Sequence, residues 1–349
     1  LGIWGAMGGA GGAAGVLLGG VLTDLLSWRW ILFINVPIGL LAALASQRLL
    51  LEGRSARGTR DFDLRGALSA TIGLSLVVLG IVRSDQTGWG NAVTLGLIVV
   101  GLGLLGAFIA IEGRFAHAPL MPLRLFRART LSAANVVVLL IGAATFAMWF
   151  FLSLYLQQVL GYSPIRAGLA FLPMTICIVI GSTGASRGVS RFGARPLLIV
   201  GMLMLAIGLA WFSQIPTHGA FLSDVLGASL LAALGMGLAY IPATICAVSG
   251  VARSEAGLAS GVVNTSRLFG GALGLALLAA IATSHTDSLL RAGHVAMPAA
   301  LTSGFRMAFA VAAGISLAGV LVAVFGLPRR VRRPEPAAGH ASEPVAESA

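Results

Sequence analysis

A few polar residues inside long apolar stretches are the candidates for chemistry in this chain. Arg267 is the one charged residue within such a stretch, and Asn264 precedes it by three positions, so the two share a helix face. Ionisable groups within a membrane span mark ligand or ion pathways. Together with Asn135 and Tyr240, these residues are predicted to line a substrate cavity. The alternative is that Arg267 extends to the nearer membrane surface as an anchor.

Aromatic and methionine side chains are predicted to form an adaptable apolar wall for this cavity. Side chains of this kind adjust to ligands of varied shape. The candidates are Trp149, Phe146, Phe150, Met148 and Met174. The same residue types in a spanning helix also pack against neighbouring helices or face lipid, and that alternative remains open.

The acidic residues lie outside the middle of the apolar stretches. Proton coupling needs a group that exchanges a proton within the membrane. If transport is driven by protons, the carrier is therefore expected outside the spans of this chain, with Asp224 at the mouth of its stretch as the weaker alternative. The five histidines are dispersed without metal-ligand spacing, and no phosphate-binding Gly-Lys loop occurs. We expect no metal, cofactor or ATP.

The composition indicates that lipid surrounds most of the chain. Hydrophobic residues make up 57% of the 349 residues, charged residues 10%, and the mean hydropathy is +0.94. A water-soluble protein of this size could not bury so much apolar surface. The net charge of +11 comes from 23 arginines without lysine, and such an excess sets the topology of a membrane protein. Soluble enzymes and nucleic-acid binders are thereby excluded, and small molecules and the bilayer are the expected partners, without an obligatory protein partner.

Intervals free of charged residues predict ten transmembrane helices, since about 20 apolar residues span a bilayer. The interval between Arg129 and Arg166 is long enough for two helices, but Gln157, Gln158, Gly161 and Ser163-Pro164 indicate a loop in its second half. Seventeen arginines fall in one set of loops and five in the opposite set. The positive-inside rule places the first set, and both chain ends, in the cytoplasm of a plasma-membrane protein. Six aromatic residues are predicted to form an interfacial belt at the outer ends: Trp28, Trp30, Trp89, Tyr155, Tyr162 and Trp211.

The first predicted helix carries a stripe of glycines. Gly11, Gly15 and Gly19 repeat every four residues, and Gly20 follows directly. A helix face without side chains lets a neighbouring helix approach closely. The stripe predicts a seam between helices, and ordinary tight packing is the alternative.

Four segments resemble one family of membrane proteins. They are the glycine stripe with Val16 and Leu18; Trp28-Arg29-Trp30 with Asn35-Val36-Pro37-Ile38-Gly39; Leu154-Tyr155-Leu156-Gln157-Gln158-Val159-Leu160-Gly161-Tyr162-Ser163-Pro164; and Gly257-Leu258-Ala259-Ser260-Gly261 with Asn264-Thr265-Ser266-Arg267 and Gly270-Gly271. They are similar to the fourteen-span drug–proton antiporter branch of the major facilitator superfamily, and this similarity implies a proton gradient as the energy source. The glycine stripe resembles the antiporter motif of that family, with Val16 where the family has proline.

The resemblance implies an all-α bundle from which about four N-terminal helices are absent. The expected divisions are residues 1–50, the last two helices of the N-terminal bundle; 51–130, loops with two extra linker helices; 131–326, a six-helix C-terminal bundle; and 327–349, a disordered cytoplasmic tail. The segment with Arg191, Gly193 and Arg195 resembles the family's cytoplasmic gating loop, with Ser190 at the usual aspartate position. A basic loop with a glycine turn that only sets topology is the alternative.

These features predict a secondary active transporter that exports drugs or other small lipophilic or cationic compounds by alternating access. Two alternatives remain: a membrane protein of the same fold that acts as a sensor or scaffold or is an inactive truncation, and a membrane-embedded transferase. The transferase is the weaker one, because it needs clustered His, Asp or Ser side chains at one membrane face. We therefore expect that the protein is not an enzyme.

Overall fold

In a computed structural model, the described residues are 2–49, 63–114, 126, 128–249, 251, 256–293 and 295–328. Within these ranges the regular structure is helical, without strands. The helices are α1 (Gly2–Leu25), α2 (Arg29–Phe33), α3 (Asn35–Leu49), α4 (Leu64–Thr87), α5 (Ala92–Arg114), α6 (Arg129–Leu154), α7 (Pro164–Ala170), α8 (Leu172–Phe192), α9 (Ala194–Phe212), α10 (Leu226–Val248), α11 (Ala256–Arg291) and α12 (Met297–Gly326). The expected all-α fold is confirmed, while the predicted tail lies almost wholly outside the described residues.

Nine segments of the described chain are long and apolar enough to cross a membrane. They correspond to the second through tenth predicted spans. The first predicted span is α1, whose 24 residues would extend about 36 Å at the helical rise of ~1.5 Å per residue. The span Pro164–Phe192 is divided into two helices, α7 and α8. The division lies at Phe171, just before Pro173, which cannot donate a backbone hydrogen bond.

The long charge-free interval before Arg166 holds one spanning helix, as predicted. The loop predicted to begin at Gln157 is shorter than expected, because α6 continues as a π-helical turn over Tyr155–Val159. The chain then turns at Gly161, where φ is +67°. Ser163 starts α7 by accepting a hydrogen bond from the backbone N–H of Arg166.

Helices α6 and α8–α12 form a six-helix bundle. The main pairs are α9 with α10, α6 with α11, α8 with α10, and α12 with both α6 and α9. Glycines allow the backbones to approach: a Cβ on Gly208 would lie 2.7 Å from the backbone nitrogen of Ala232, and one on Gly201 would lie 2.6 Å from that of Ala239. Small residues of this kind are what brings helices together where lipid provides no hydrophobic driving force.

One end of the bundle is held by arginines. Arg129 Nη2 donates to the carbonyl of Phe325 at 3.1 Å, and Arg195 donates from Nε and Nη2 to the carbonyls of Ala323 and Val324. These carbonyls belong to the last turn of α12, where no intrahelical donor is available. The arginines therefore cap α12, and we call this end of the bundle the arginine-rich end.

Aromatic rings fill the core towards the opposite end. Phe212 stacks on Phe309 with ring centroids 5.0 Å apart, and Phe151 meets Phe309 edge-on at 6.2 Å. Tyr155 is fully buried beside them, and its hydroxyl donates to the carbonyl of Pro216 at 2.6 Å. The prediction that Tyr155 belongs to an interfacial belt is therefore wrong, whereas Trp211 is exposed as predicted.

The remaining helices lie at the periphery. The pair α4–α5 packs together where Gly101 approaches the backbone of Gly73, and α4 contacts α11. Helix α1 contacts α7 and α8, whereas α2 and α3 have no buried residue among those described. The expected division of the chain into four parts stays a prediction.

Candidate functional site

Three of the predicted pathway residues come together on α10 and α11. Arg267 Nη2 donates to Asn264 Oδ1 at 3.1 Å, and the Arg267 guanidinium carbon lies 5.7 Å from the centre of the Tyr240 ring. This distance is within the range of a cation–π interaction. The Nε atom of Arg267 is buried and has no hydrogen-bond partner among the described residues. We call Tyr240, Asn264 and Arg267 the arginine site.

The depth of the arginine site follows from the contact between α6 and α11. The carbonyl of Arg267 lies directly against Gly142, which is halfway along the 26-residue α6. Gly270 faces the backbone of Leu139, and Gly274 faces Ala143. Gly142, Gly270 and Gly274 let the two helices touch backbone to backbone, and they hold the backbone of Arg267 level with the middle of α6.

Asn135 has a different environment from the one predicted. It is buried, its Oδ1 accepts a hydrogen bond from Ser266 Oγ at 3.0 Å, and its Nδ2 donates to the carbonyl of Leu131 at 2.9 Å. Asn135 therefore ties α6 to the residue preceding Arg267. Its contacts are those of a residue that positions the arginine site, rather than of one that lines an open cavity.

The predicted apolar wall is divided between exposed and buried side chains. Phe146 and Trp149 are half-buried, and Phe150 is exposed. Phe146 covers Gly271, one helical turn beyond Arg267, while Trp149 packs on Phe171 with ring centroids 5.0 Å apart. These aromatic side chains remain candidates for contact with a ligand.

The two methionines of the predicted wall do not line an open surface. Met148 and Met174 are both completely buried in the aromatic core of the bundle. Packing, the alternative considered for them, is therefore the correct interpretation. Their neighbours on other helices decide this, and sequence spacing alone does not reveal which side of α6 or α8 faces the core.

The glycine stripe of α1 has only one close contact within the described part of the chain. A Cβ on Gly20 would lie 2.7 Å from the carbonyl oxygen of Pro164, where α7 begins. At Gly11, Gly15 and Gly19, no described heavy atom lies within 4 Å of such a Cβ. Gly20 thus forms part of a contact between α1 and α7, and the seam along the other three glycines stays a prediction.

The predicted gating loop forms a tight turn between α8 and α9. Gly193 has φ +83°, a conformation that favours glycine, and its N–H caps α8 by donating to the carbonyl of Val189. Arg195 is engaged by the end of α12, whereas Arg191 is exposed and lies 5.4 Å from the ring of Phe192. Arg195 therefore has a structural role at the end of α12. Arg191 has no such role among the described contacts, and it remains the candidate for gating.

Sequence reasoning missed two residues that position the arginine site. Ser266 is the partner of Asn135, and Gly142 makes the close contact with the backbone of Arg267. The sequence did contain a signal for the first of these, because polar side chains such as Asn135 on α6 and Ser266 on α11 form hydrogen bonds across helices in a membrane. The importance of Gly142 depends on which helix lies beside it, and nothing in its own neighbourhood of the sequence indicates that.

Comparison with known proteins gives the family. The sequence model of the Major Facilitator Superfamily matches residues 1–275. Cephamycin export protein CmcT of Amycolatopsis lactamdurans is 39% identical over 96% of this chain and 68% of its own length. Puromycin resistance protein pur8 of Streptomyces alboniger is 37% identical over 92% of this chain and 65% of its own length.

A third relative, the tetracenomycin C resistance and export protein of Streptomyces glaucescens, is 33% identical over 83% of this chain and 53% of its own length. The chain thus spans roughly half to two thirds of the length of these relatives. Its helical bundle and the match over most of its residues agree with one another. The chain belongs to the Major Facilitator Superfamily.

Proposed function

We propose that this chain is the larger part of a secondary active transporter that exports small lipophilic compounds by alternating access. The observation that carries the proposal is the arginine site, a polar cluster held level with the middle of the spanning helix α6. Substrate sites of transporters of this architecture lie near the membrane midplane. The names of the relatives, which refer to export of and resistance to antibiotics, support the direction of transport.

The arginine site and the aromatic residues Phe146 and Trp149 form the ligand-facing surface in this proposal. Phe146 is four residues after Gly142 and Trp149 is seven, so both lie on the face of α6 that meets α11. A ligand could then contact a charge at one end and aromatic rings at the other. Small molecules and lipid are the proposed partners.

Energy comes from a proton gradient in this proposal, with the proton-carrying group outside the spans described above. Asp224 is poorly suited to that role, because its Oδ2 accepts hydrogen bonds from the Ala220 N–H at 2.8 Å and from the Ser223 hydroxyl at 2.7 Å. These bonds make Asp224 a cap for its own helical turn. The proposed location is the plasma membrane, with the arginine-rich end in the cytoplasm.

Gly15 and Gly103 provide a test with a matched control. Neither glycine has a described heavy atom within 4 Å of its Cβ position, and they lie on α1 and α5 respectively. If the stripe of α1 slides against another helix during transport, Gly15→Leu should abolish export while Gly103→Leu leaves it intact. Both variants should insert into the membrane in normal amounts.

The measurement is dye or drug uptake by everted membrane vesicles that contain the full-length gene product, with and without an imposed pH gradient. Wild-type uptake that depends on the gradient is the expected result. Equal uptake in its presence and absence would contradict proton-driven export, and normal activity of Gly15→Leu would contradict the seam.

A further inference from the structure

The charge of the arginine site lacks a counter-ion within the described chain. The ion pair on α11 joins Arg291 to Asp287 at the far end of that helix and does not include Arg267. The contacts of the guanidinium with described residues are neutral: an amide oxygen of Asn264 and the ring face of Tyr240. Its buried Nε–H has no acceptor among the described residues.

This arrangement is costly unless an anion completes it. An arginine at the centre of a membrane helix costs about 2.5–3.5 kcal/mol on insertion scales. An amide oxygen and an aromatic face offset part of that cost, but neither neutralises the charge. Acidic residues are also absent from the middle of the predicted spans of this chain, so Arg267 is the charge that a ligand meets within these spans, and it repels a cation.

The geometry favours a planar anion over a spherical one. Guanidinium presents its N–H groups as a fork that matches the two oxygens of a carboxylate. Asn264 occupies one Nη2 direction and Nε is buried, which leaves the second Nη2 N–H and the Nη1 N–H groups for such a pair. The apolar body of the ligand would extend one turn along α11 to Phe146, whose ring covers Gly271.

We infer that Arg267, positioned by Asn264 and Tyr240, binds the carboxylate of an amphipathic substrate whose apolar part contacts Phe146. This inference rests on the proposed function and gives it a substrate class. Lipophilic carboxylic acids are preferred, and lipophilic cations, one of the two classes expected from the sequence, are excluded from this site.

Three probes that share one apolar body test the inference: pyrenebutanoate, pyrenebutanol and pyrenebutylammonium. Binding of each is measured by fluorescence titration of the full-length gene product in lipid nanodiscs, with empty nanodiscs subtracted. Wild type should bind the carboxylate at least about tenfold more tightly than the alcohol, a difference of ~1.4 kcal/mol, and the ammonium most weakly.

Arg267→Gln removes the charge but keeps a hydrogen-bonding side chain, and it should reduce the affinity for the carboxylate to that for the alcohol. Arg267→Lys keeps the charge without the fork and should give an intermediate preference. Arg187→Gln, at an exposed position of the arginine-rich end, is the matched control for overall charge and should behave as wild type. Size-exclusion profiles show that each variant is folded.

Equal binding of the three probes by wild type, or a carboxylate preference that survives in Arg267→Gln, would overturn the inference and leave Arg267 as a membrane anchor. The proposed function is tested separately, by uptake driven by a pH gradient. Loss of the carboxylate preference in Arg267→Gln supports the binding site whether or not that uptake is found. Uptake of the alcohol without a carboxylate preference supports export and refutes the binding site.

Discussion

Replacement of Gly270 by alanine tests the backbone contact on which the arginine site depends. A Cβ at this position would lie 2.7 Å from the carbonyl carbon and 2.8 Å from the Cα of Leu139, and nearer still to its carbonyl oxygen. Contact between carbon atoms is favourable at ~3.5–4.0 Å, so α6 and α11 would have to separate by about 1 Å. Backbone atoms cannot rotate away as a side chain can, and overpacking of this kind costs about 1–3 kcal/mol.

Gly261→Ala is the matched control on the same helix. No described heavy atom lies within 4 Å of a Cβ at Gly261, so this substitution adds a methyl group without a clash. Both variants gain the same helix propensity, up to about 1 kcal/mol, and the difference between them isolates the contact.

The assay is thermal unfolding in detergent, followed by the loss of the monodisperse size-exclusion peak. Gly270→Ala should unfold at a lower temperature than wild type, and Gly261→Ala at the same or a higher temperature. The affinity for pyrenebutanoate should fall in Gly270→Ala as well, because Arg267 lies one turn away on the same helix. If the two alanine variants unfold together, α6 and α11 do not pack through Gly270, and the depth assigned to Arg267 loses its support.

Two further substitutions test the hydrogen bond from Tyr155 to Pro216 and the capping of α12 by Arg195. Tyr155→Phe should destabilise the protein by about 1–2 kcal/mol in the same unfolding assay, since it leaves a carbonyl oxygen without its donor; unchanged unfolding would show that this bond does not form. Arg195→Ala should cost a similar ~1–2 kcal/mol because it uncaps two carbonyls of α12, whereas Arg191→Ala should unfold as wild type does. Equal stability of the two arginine variants would refute the cap, and a loss of transport in Arg191→Ala at normal stability would support a gating role.

Local spacing predicted the pairing within α11 correctly. Asn264 and Arg267 are three residues apart, and the helix places their side chains within hydrogen-bond distance. The single helix in the interval before Arg166 also followed from local signals, since Gly161 and Ser163-Pro164 mark a helix boundary whatever surrounds them.

Contacts between helices were less predictable. Met148, Met174 and Tyr155 are buried by residues distant in sequence, and helices that are apolar on all sides give little indication of which side faces the core. For the same reason the most conspicuous glycines, those of α1, have few close neighbours among the described residues. Glycines outside that stripe, such as Gly142 and Gly270, make the tightest contacts.

The capping of α12 by Arg129 and Arg195 has a mechanical consequence. The two side chains fasten the end of α12 to the beginnings of α6 and α9, so none of these three helices can tilt at that end without breaking charge-assisted hydrogen bonds. These three helices should accordingly move as one unit. Any rocking would be concentrated at the rim of the six-helix bundle, where α1 meets α7 and α8, and a disulfide introduced there should arrest it.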